Sequence, residues 1–266
     1  MTLEILISTI DAGIDNIAAM LLEPRDGIKY LVSWQHRDEG NCKIPDVLLR
    51  DDVTVVHLQG PGLSRNRNNC LKHATGDVCL IADDDCRYTH EELSCIALTF
   101  ASHRNVDIAT FKAHGLLTPY PEKSFNLQEP HKGYHVSSIE IAFRRVSVQG
   151  KLWFNELFGL GAPVLHCAEE EVFIHDALEM GLRCVYFPAY VVSHEAPSTS
   201  ISRINDPGTL MARGAYLYIA YRQSMIPRAA LISYRLSRTG KVTMYKALKY
   251  ILKGIAYYRR ETRRVK

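Results

Sequence analysis

No run in the 266 residues is long and apolar enough to cross a bilayer, which takes about 20 residues; the best candidate, 210–226, is broken by Arg213 and Arg222. The start, Met1-Thr2-Leu3-Glu4, has no basic segment and only a short apolar run, so no secretory signal is expected. The seven cysteines are odd in number and no pair has CxxC spacing, which argues against a disulfide framework or a zinc ribbon. Reduced thiols in a cytoplasmic protein are the expectation. Internal repeats and low-complexity tracts do not occur. What is present is 47% hydrophobic and 23% charged, enough for a sizeable core. Charge is uneven: residues 227–266 hold 12 Lys/Arg and a single acid, Glu261, for a net +11, against −8 for the rest and +3 for the whole. An anionic partner is expected for the tail alone.

The first 110 residues alternate apolar strand-like runs with helix-like ones. Leu3–Ile10 is a largely apolar run, interrupted by Glu4, Ser8 and Thr9, and reads as a strand buried on both faces. Asp11 is placed to cap a helix over about 12–22, before Pro24. Strands are expected over 28–34, 53–58 and 77–82, with a helix from Gly62–Ser64 to Ala74 and another opened by a Thr89/Glu92 capping box. Residues 115–133 read as a long loop, 136–143 as a strand, 168–180 as a helix closed by Gly181, and 184–192 as strand broken by Pro188. The pattern predicts an α/β fold, a mostly parallel central sheet with flanking helices, with its ligand site at the carboxyl ends of the strands. A domain over 1–206 and a helical, basic C-terminal extension over 207–266 are expected.

Asp83-Asp84-Asp85 ends the fourth strand, and three carboxylates there repel one another unless a cation is present. Oxygen ligands on a short turn suit Mg²⁺ or Mn²⁺ that also bridges phosphates; a solvated acidic turn before a helix is the plain alternative. Upstream, Gly62-Leu63-Ser64-Arg65-Asn66-Arg67-Asn68 opens a helix whose N–H groups, with Arg65 or Arg67, are placed to meet a diphosphate. The whole stretch, GLSRNRNNCLKHATGDVCLIADDD, resembles the donor-binding segment of family-2 glycosyltransferases: G-x-S-x-x-R-N, a helix, then a strand ending in D-x-D. The resemblance implies a GT-A nucleotide-diphosphosugar transferase fold, a UDP- or GDP-sugar donor, a saccharide acceptor (lipid-linked in many bacterial relatives) and inversion at the anomeric carbon. It assigns nucleotide-sugar contacts to Thr9, Asp11, Gln35, Arg65, Arg67, Asp83, Asp84 and Gly161, and the metal to Asp83 and Asp85. Where many relatives carry an acid for the base, this chain has Ser33-Trp34-Gln35-His36, with Trp34 either stacked on a base or in the core.

FNELFGLGA (154–162) followed by Ala168-Glu169-Glu170-Glu171 resembles the same family's FDE-FGLGA loop and acidic motif, which implies that Glu170 is the general base. Helical spacing points to the same residue, because Glu170 precedes Phe173 and Ile174 by three and four positions. Solvated glutamates at a helix start are the alternative. His194, after the last strand, occupies the place of a metal-ligating histidine in related enzymes, though a lone histidine is as often structural.

In the tail, Met244, Tyr245, Leu248, Ile251, Leu252, Ile255 and Tyr258 recur at helical spacing beside lysines and arginines. That pattern predicts either a helix whose face over 242–258 lies on an anionic membrane or one packed on the protein with a solvated basic side. No nucleic-acid recognition motif is present. Rival readings are a haloacid-dehalogenase-like phosphatase, disfavoured by Arg87 where that family has Thr or Val, and a basic binding protein without catalysis.

Overall fold

A computed structural model describes residues 1–37, 43–116, 119–129, 131, 133–194 and 203–264. Cys42, parts of the 115–133 loop and the segment that follows His194 lie outside the described residues. The chain divides into two compact units, Met1–Pro61 with Arg65–Phe154 and Asp176–Ala196, and Gly62–Ser64 with Asn155–His175 and Pro197–Lys266.

The first unit is built on β1 (Leu3–Ile10), β2 (Ile28–His36), β3 (Val53–Gln59), β4 (Val78–Asp83), β5 (Ile108–His114), β6 (Phe125–Asn126), β7 (Ile141–Arg144) and β8 (Cys184–Ser193). They form one sheet in the order β3-β2-β1-β4-β7-β5-β8-β6. The pairs β3-β2, β2-β1, β1-β4 and β5-β8 are parallel. β7 runs antiparallel to both β4 and β5, and β6 antiparallel to β8. Ile5, Ile7, Val32, Leu80 and Ala82 of the sheet pack with Ile14, Ile17, Leu93, Ile96 and Phe100, which explains the largely apolar runs of the central strands.

Two helices of this fold begin where the sequence places them. α1 covers Leu63–His73, and α2 (His90–Ser102) carries the complete Thr89/Glu92 capping box. Two expectations are corrected. Asp11 caps nothing: it lies inside a 3₁₀ helix, Asp11–Ala19, at φ 50°, and its carboxylate accepts from the Arg37 N–H and pairs with that side chain at 3.2 Å. The strand expected over 136–143 is shorter, because Ser138–Glu140 forms a 3₁₀ turn that a Ser137/Glu140 capping box closes before β7. The short α3 (Arg145–Val148) follows β7, and α4 (Glu169–Glu179) ends at Gly181, whose φ of 77° makes it the expected stop.

The second unit holds α5 (Pro207–Ala220), α6 (Met225–Ser237) and α7 (Met244–Arg264). Asp206 caps α5 by accepting from the Thr209 N–H at 2.8 Å. α5 and α7 meet backbone to backbone at two glycines. A Cβ at Gly254 would strike the Met211 carbonyl, and one at Gly214 the Ile251 carbonyl. The contact turns the apolar side of α7 inward, so Ala247, Ile251 and Ile255 are buried with Leu210, Leu217, Ala229 and Val242. Of the stripe expected over 242–258, Ile251 and Ile255 are core, as the packed-helix alternative has it, whereas Met244, Tyr245 and Leu252 are exposed. Gly254→Ala should separate the two helices and lower the melting temperature by several degrees, since overpacking typically costs about 1–3 kcal/mol; an unchanged melting curve would contradict the packing. Among the described residues, no helix is long and apolar enough to cross a membrane.

Candidate active site

The three aspartates after β4 point to three different partners. Asp83 accepts from Arg67 at 2.9 Å. Asp84 accepts from the Thr9 hydroxyl at 2.5 Å, and a Cβ at Gly13 would collide with its carboxylate. Burial raises the Asp84 carboxyl above the usual range, against the pull of the Thr9 bond. Asp85 lies 3.2 Å from His194 Nε2, and that bond holds its carboxyl below the usual range. His194 reaches Asp85 because the end of β8 is laced to the turn: Arg87 and Ser193 exchange both backbone bonds at 2.9 Å, and the His194 N–H donates to His114 O at 3.0 Å.

Arg67 and Asn68 are organisers of the first unit. Arg67, expected at a diphosphate, is instead 2% exposed; its guanidinium donates to Asp83 and, at 2.8 Å, to the Ser138 hydroxyl, and it lies over the Phe154 ring. Asn68 mimics a backbone unit: its amide donates to Phe154 O at 2.9 Å and its carbonyl accepts from Phe154 N at 2.8 Å. Asn66, also buried, donates to Thr9 O at 2.9 Å. Arg65 faces solvent and is the arginine of this pair that remains available to an anion. Ser138 went unnoticed in the sequence. So did Glu140, whose buried carboxyl is pushed up to about 8 by desolvation while it accepts from Tyr120.

Gln35 and Trp34 at the end of β2 are both buried and engaged. The Gln35 amide donates to Gly60 O at 2.9 Å, and the Trp34 ring N–H donates to Asp11 O at 2.8 Å. Trp34 therefore belongs to the core, edged by the His36 and His57 rings at 4.3 and 5.5 Å.

In the second unit, residues 158–165 close on themselves through Gly159 N to Leu165 O at 2.9 Å and a Phe158–Leu165 bridge. The Ser64 hydroxyl donates to Phe158 O at 2.6 Å and Leu63 N to Leu160 O at 2.8 Å. Gly159, at φ 102°, is required twice over, because a Cβ there would press on Ser64 and on the Glu169 carboxylate. Gly161 also has positive φ, 81°, and is exposed. Ala168 takes a left-handed φ of 74°, rare for a residue with a side chain, and launches α4. Of the three glutamates that follow, Glu169 is buried and Glu170 and Glu171 are half-buried, so none is freely solvated. Burial raises Glu171, opposed by the nearby Arg213.

A parallel-sheet donor fold with an acidic turn at the end of β4 and a second acidic motif at the start of a helix is the layout of a GT-A glycosyltransferase. Comparison with known proteins agrees. Residues 43–146 match the model of glycosyl transferase family 2, a stretch that holds Arg65, Arg67 and Asp83–Asp85 and stops short of Glu170 and His194. Among solved structures, Staphylococcus aureus TarS is 16% identical at a TM-score of 0.55, covering 91% of this chain but 44% of that one. Its 1–349 fragment with UDP-GlcNAc is 14% identical at 0.55, covering 98% and 92%. The mannosyltransferase PcManGT from Pyrobaculum calidifontis, with GDP-Man and Mn²⁺, is 14% identical at 0.56, covering 95% and 86%. No curated protein matches the chain. Over residues 43–146 the chain is thus similar to glycosyl transferase family 2, and its fold is the GT-A fold of these glycosyltransferases.

Proposed function

We propose that the protein transfers a sugar from a UDP- or GDP-sugar to a saccharide hydroxyl, lipid-linked or free, with inversion, and that it does so in the cytoplasm. The observation that carries this reading is the Asp85–His194 pair beside the Thr9–Asp84 bond at the carboxyl end of β4. Among the described residues no three His, Cys, Asp or Glu side chains converge as a metal cage, and Asp83, expected as a ligand, is taken by Arg67. One oxygen and one nitrogen ligand nevertheless fit a divalent ion held jointly with phosphates, since Mg²⁺ is commonly bound through one or two carboxylates plus a substrate's phosphates. Asp85 and His194 would hold Mg²⁺ or Mn²⁺, which when bound offsets the charge of the diphosphate leaving group. Thr9, Asp84 and the Arg67–Asp83 pair shape the floor on which the nucleotide-sugar lies, and Gly161 and the exposed Arg65 complete its contacts. Glu170, in the first turn of α4, is the base: the helix dipole favours its ionised form. Its carboxylate takes the proton of the acceptor hydroxyl, the oxygen bonds to the anomeric carbon, and the bond to the nucleoside diphosphate breaks.

Asp85→Ala tests the donor half of this reading. Affinity for UDP or GDP in the presence of Mn²⁺ should fall by about tenfold or more, the lower end of what disturbing a metal site costs, while affinity without metal and the melting temperature stay near wild type. Titration with and without Mn²⁺ reads both, and an unchanged metal dependence would move the site elsewhere. Hydrolysis of UDP- and GDP-sugars with Mn²⁺ separates a transferase from a binding protein, since only the former releases nucleoside diphosphate.

A further inference from the structure

With Ile251 and Ile255 of α7 spent inside the second unit, the basic tail presents a different face. α6 turns Ala229 and Ser233 inward and leaves Ile226, Leu231 and Tyr234 exposed, at 54%, 47% and 51%. At 100° per residue Leu231 and Tyr234 share the arc opposite Ala229 and Ser233 with Arg228, Arg235 and Arg238, while Ile226 is exposed at the start of the helix, 140° from Leu231. α7 adds exposed Tyr245 and Leu252 on one flank of its buried side. Cations lie over neighbouring rings: Lys249 is 6.0 Å from the centroid of the exposed Tyr245, Arg228 3.9 Å from that of Tyr221, and Lys253 5.3 Å from that of Tyr250. From Met225 to Arg260 neither helix carries an acid. Leu231 and Tyr234 thus stand between arginines on one exposed helix face.

We propose that this outer face of α6, with the basic outer side of α7, is a docking surface for an anionic lipid bilayer. The charge decides among occupants. A second copy would bring +11 against +11, which repels; a bilayer rich in anionic headgroups answers each arginine and lysine and also takes up the apolar side chains between them. Nucleic acid would satisfy the cations and leave Leu231 without a partner. Because neither helix is apolar enough to cross, the attachment is peripheral and reversible. The inference goes beyond sugar transfer and does not rest on it, since vesicle binding is measured without donor or acceptor.

The test is co-sedimentation of the full-length protein with phosphatidylcholine vesicles, with and without phosphatidylglycerol. Binding should require the anionic lipid and weaken with salt, as surface charge is screened beyond about 10 Å at 0.1 M. Arg228→Ala with Arg235→Ala should weaken partitioning by about fivefold for each arginine removed, and Leu231→Ser with Tyr234→Ser by at least about fivefold, because binding scales with inserted apolar area. Leu98→Ser, an equally exposed leucine on α2, should change nothing. All these side chains are exposed and outside the site, so donor hydrolysis should hold; should the serine pair unfold, the arginine pair decides. Equal binding to neutral vesicles, or wild-type partitioning by the arginine pair, would overturn the proposal. So would finding that the same substitutions abolish self-association or RNA binding while vesicle binding survives.

Discussion

Glu170→Gln should bind the nucleotide-sugar as wild type does and transfer it ~10²–10⁴ times more slowly, the usual worth of a general base. The amide keeps the size of the side chain and cannot accept a proton, so the loss belongs to the chemical step and appears in kcat rather than in donor affinity. Glu169 and Glu171 are the natural controls. Glu169 is buried against Gly159, and Glu171 is raised by burial beside Arg213, so their glutamine variants should disturb stability more than the chemistry. Single-turnover rates and donor titration on the three variants separate these effects. If Glu170→Gln retains transfer within about tenfold, below the range expected of a base, the proton goes to another group.

Removing residues 241–266 should cost the second unit its fold and the enzyme its activity. Ile251 and Ile255 are buried on α7, and each is worth about 1.5–3 kcal/mol of burial, so together they approach the low end of a whole domain's stability of about 5–15 kcal/mol. The loss would reach the base as well. Tyr257 and Tyr258 pack against the cluster of Phe158, Leu165, Ala168 and Val172, and Tyr258 accepts from Asn155 at 3.1 Å. The residues that carry Glu169–Glu171 thus stand on the tail. Limited proteolysis should cut the truncated protein within 155–175, and transfer should vanish with it. A truncated protein that melts at the wild-type temperature and still transfers sugar would show that α7 is an accessory.

Much of this was written in the sequence where one physical signal dominates. Apolar runs located β1 to β4 and β8 but not β5, the Thr89/Glu92 pair located α2, and Gly181 ended α4. The direction of β7 was not readable, because a short apolar run is the same forwards and backwards. Arg67 was misjudged for want of one comparison. It precedes the buried Cys70, Leu71 and Ala74 by three, four and seven positions, which places it on the inner side of α1 and not toward a ligand. The tail held a similar clue: Gly254 inside a helix costs about 1 kcal/mol relative to alanine, a cost that makes sense where another backbone comes close, as Met211 does. Asp85 and His194 were expected together and are together. The burial of Glu169 depended on how the 158–165 loop returns to Ser64, which no periodicity encodes.

Arg67 and Asn68 also bear on the order in which the chain acquires its shape. Both are on α1, yet their partners, Ser138 and Phe154, lie 71 and 86 positions further on. During synthesis, which exposes the N-terminal part first at about 5–20 residues per second, Arg67 meets Asp83, 16 positions on, well before Ser138, and Asn68 must wait several seconds for Phe154. Closing such distant contacts is slow because the loop entropy is lost before the contact is gained. The contacts of α1 with Ser138 and Phe154 should therefore be among the last parts of the first unit to gain protection from hydrogen exchange during refolding, well after β1, β2 and β3 have paired.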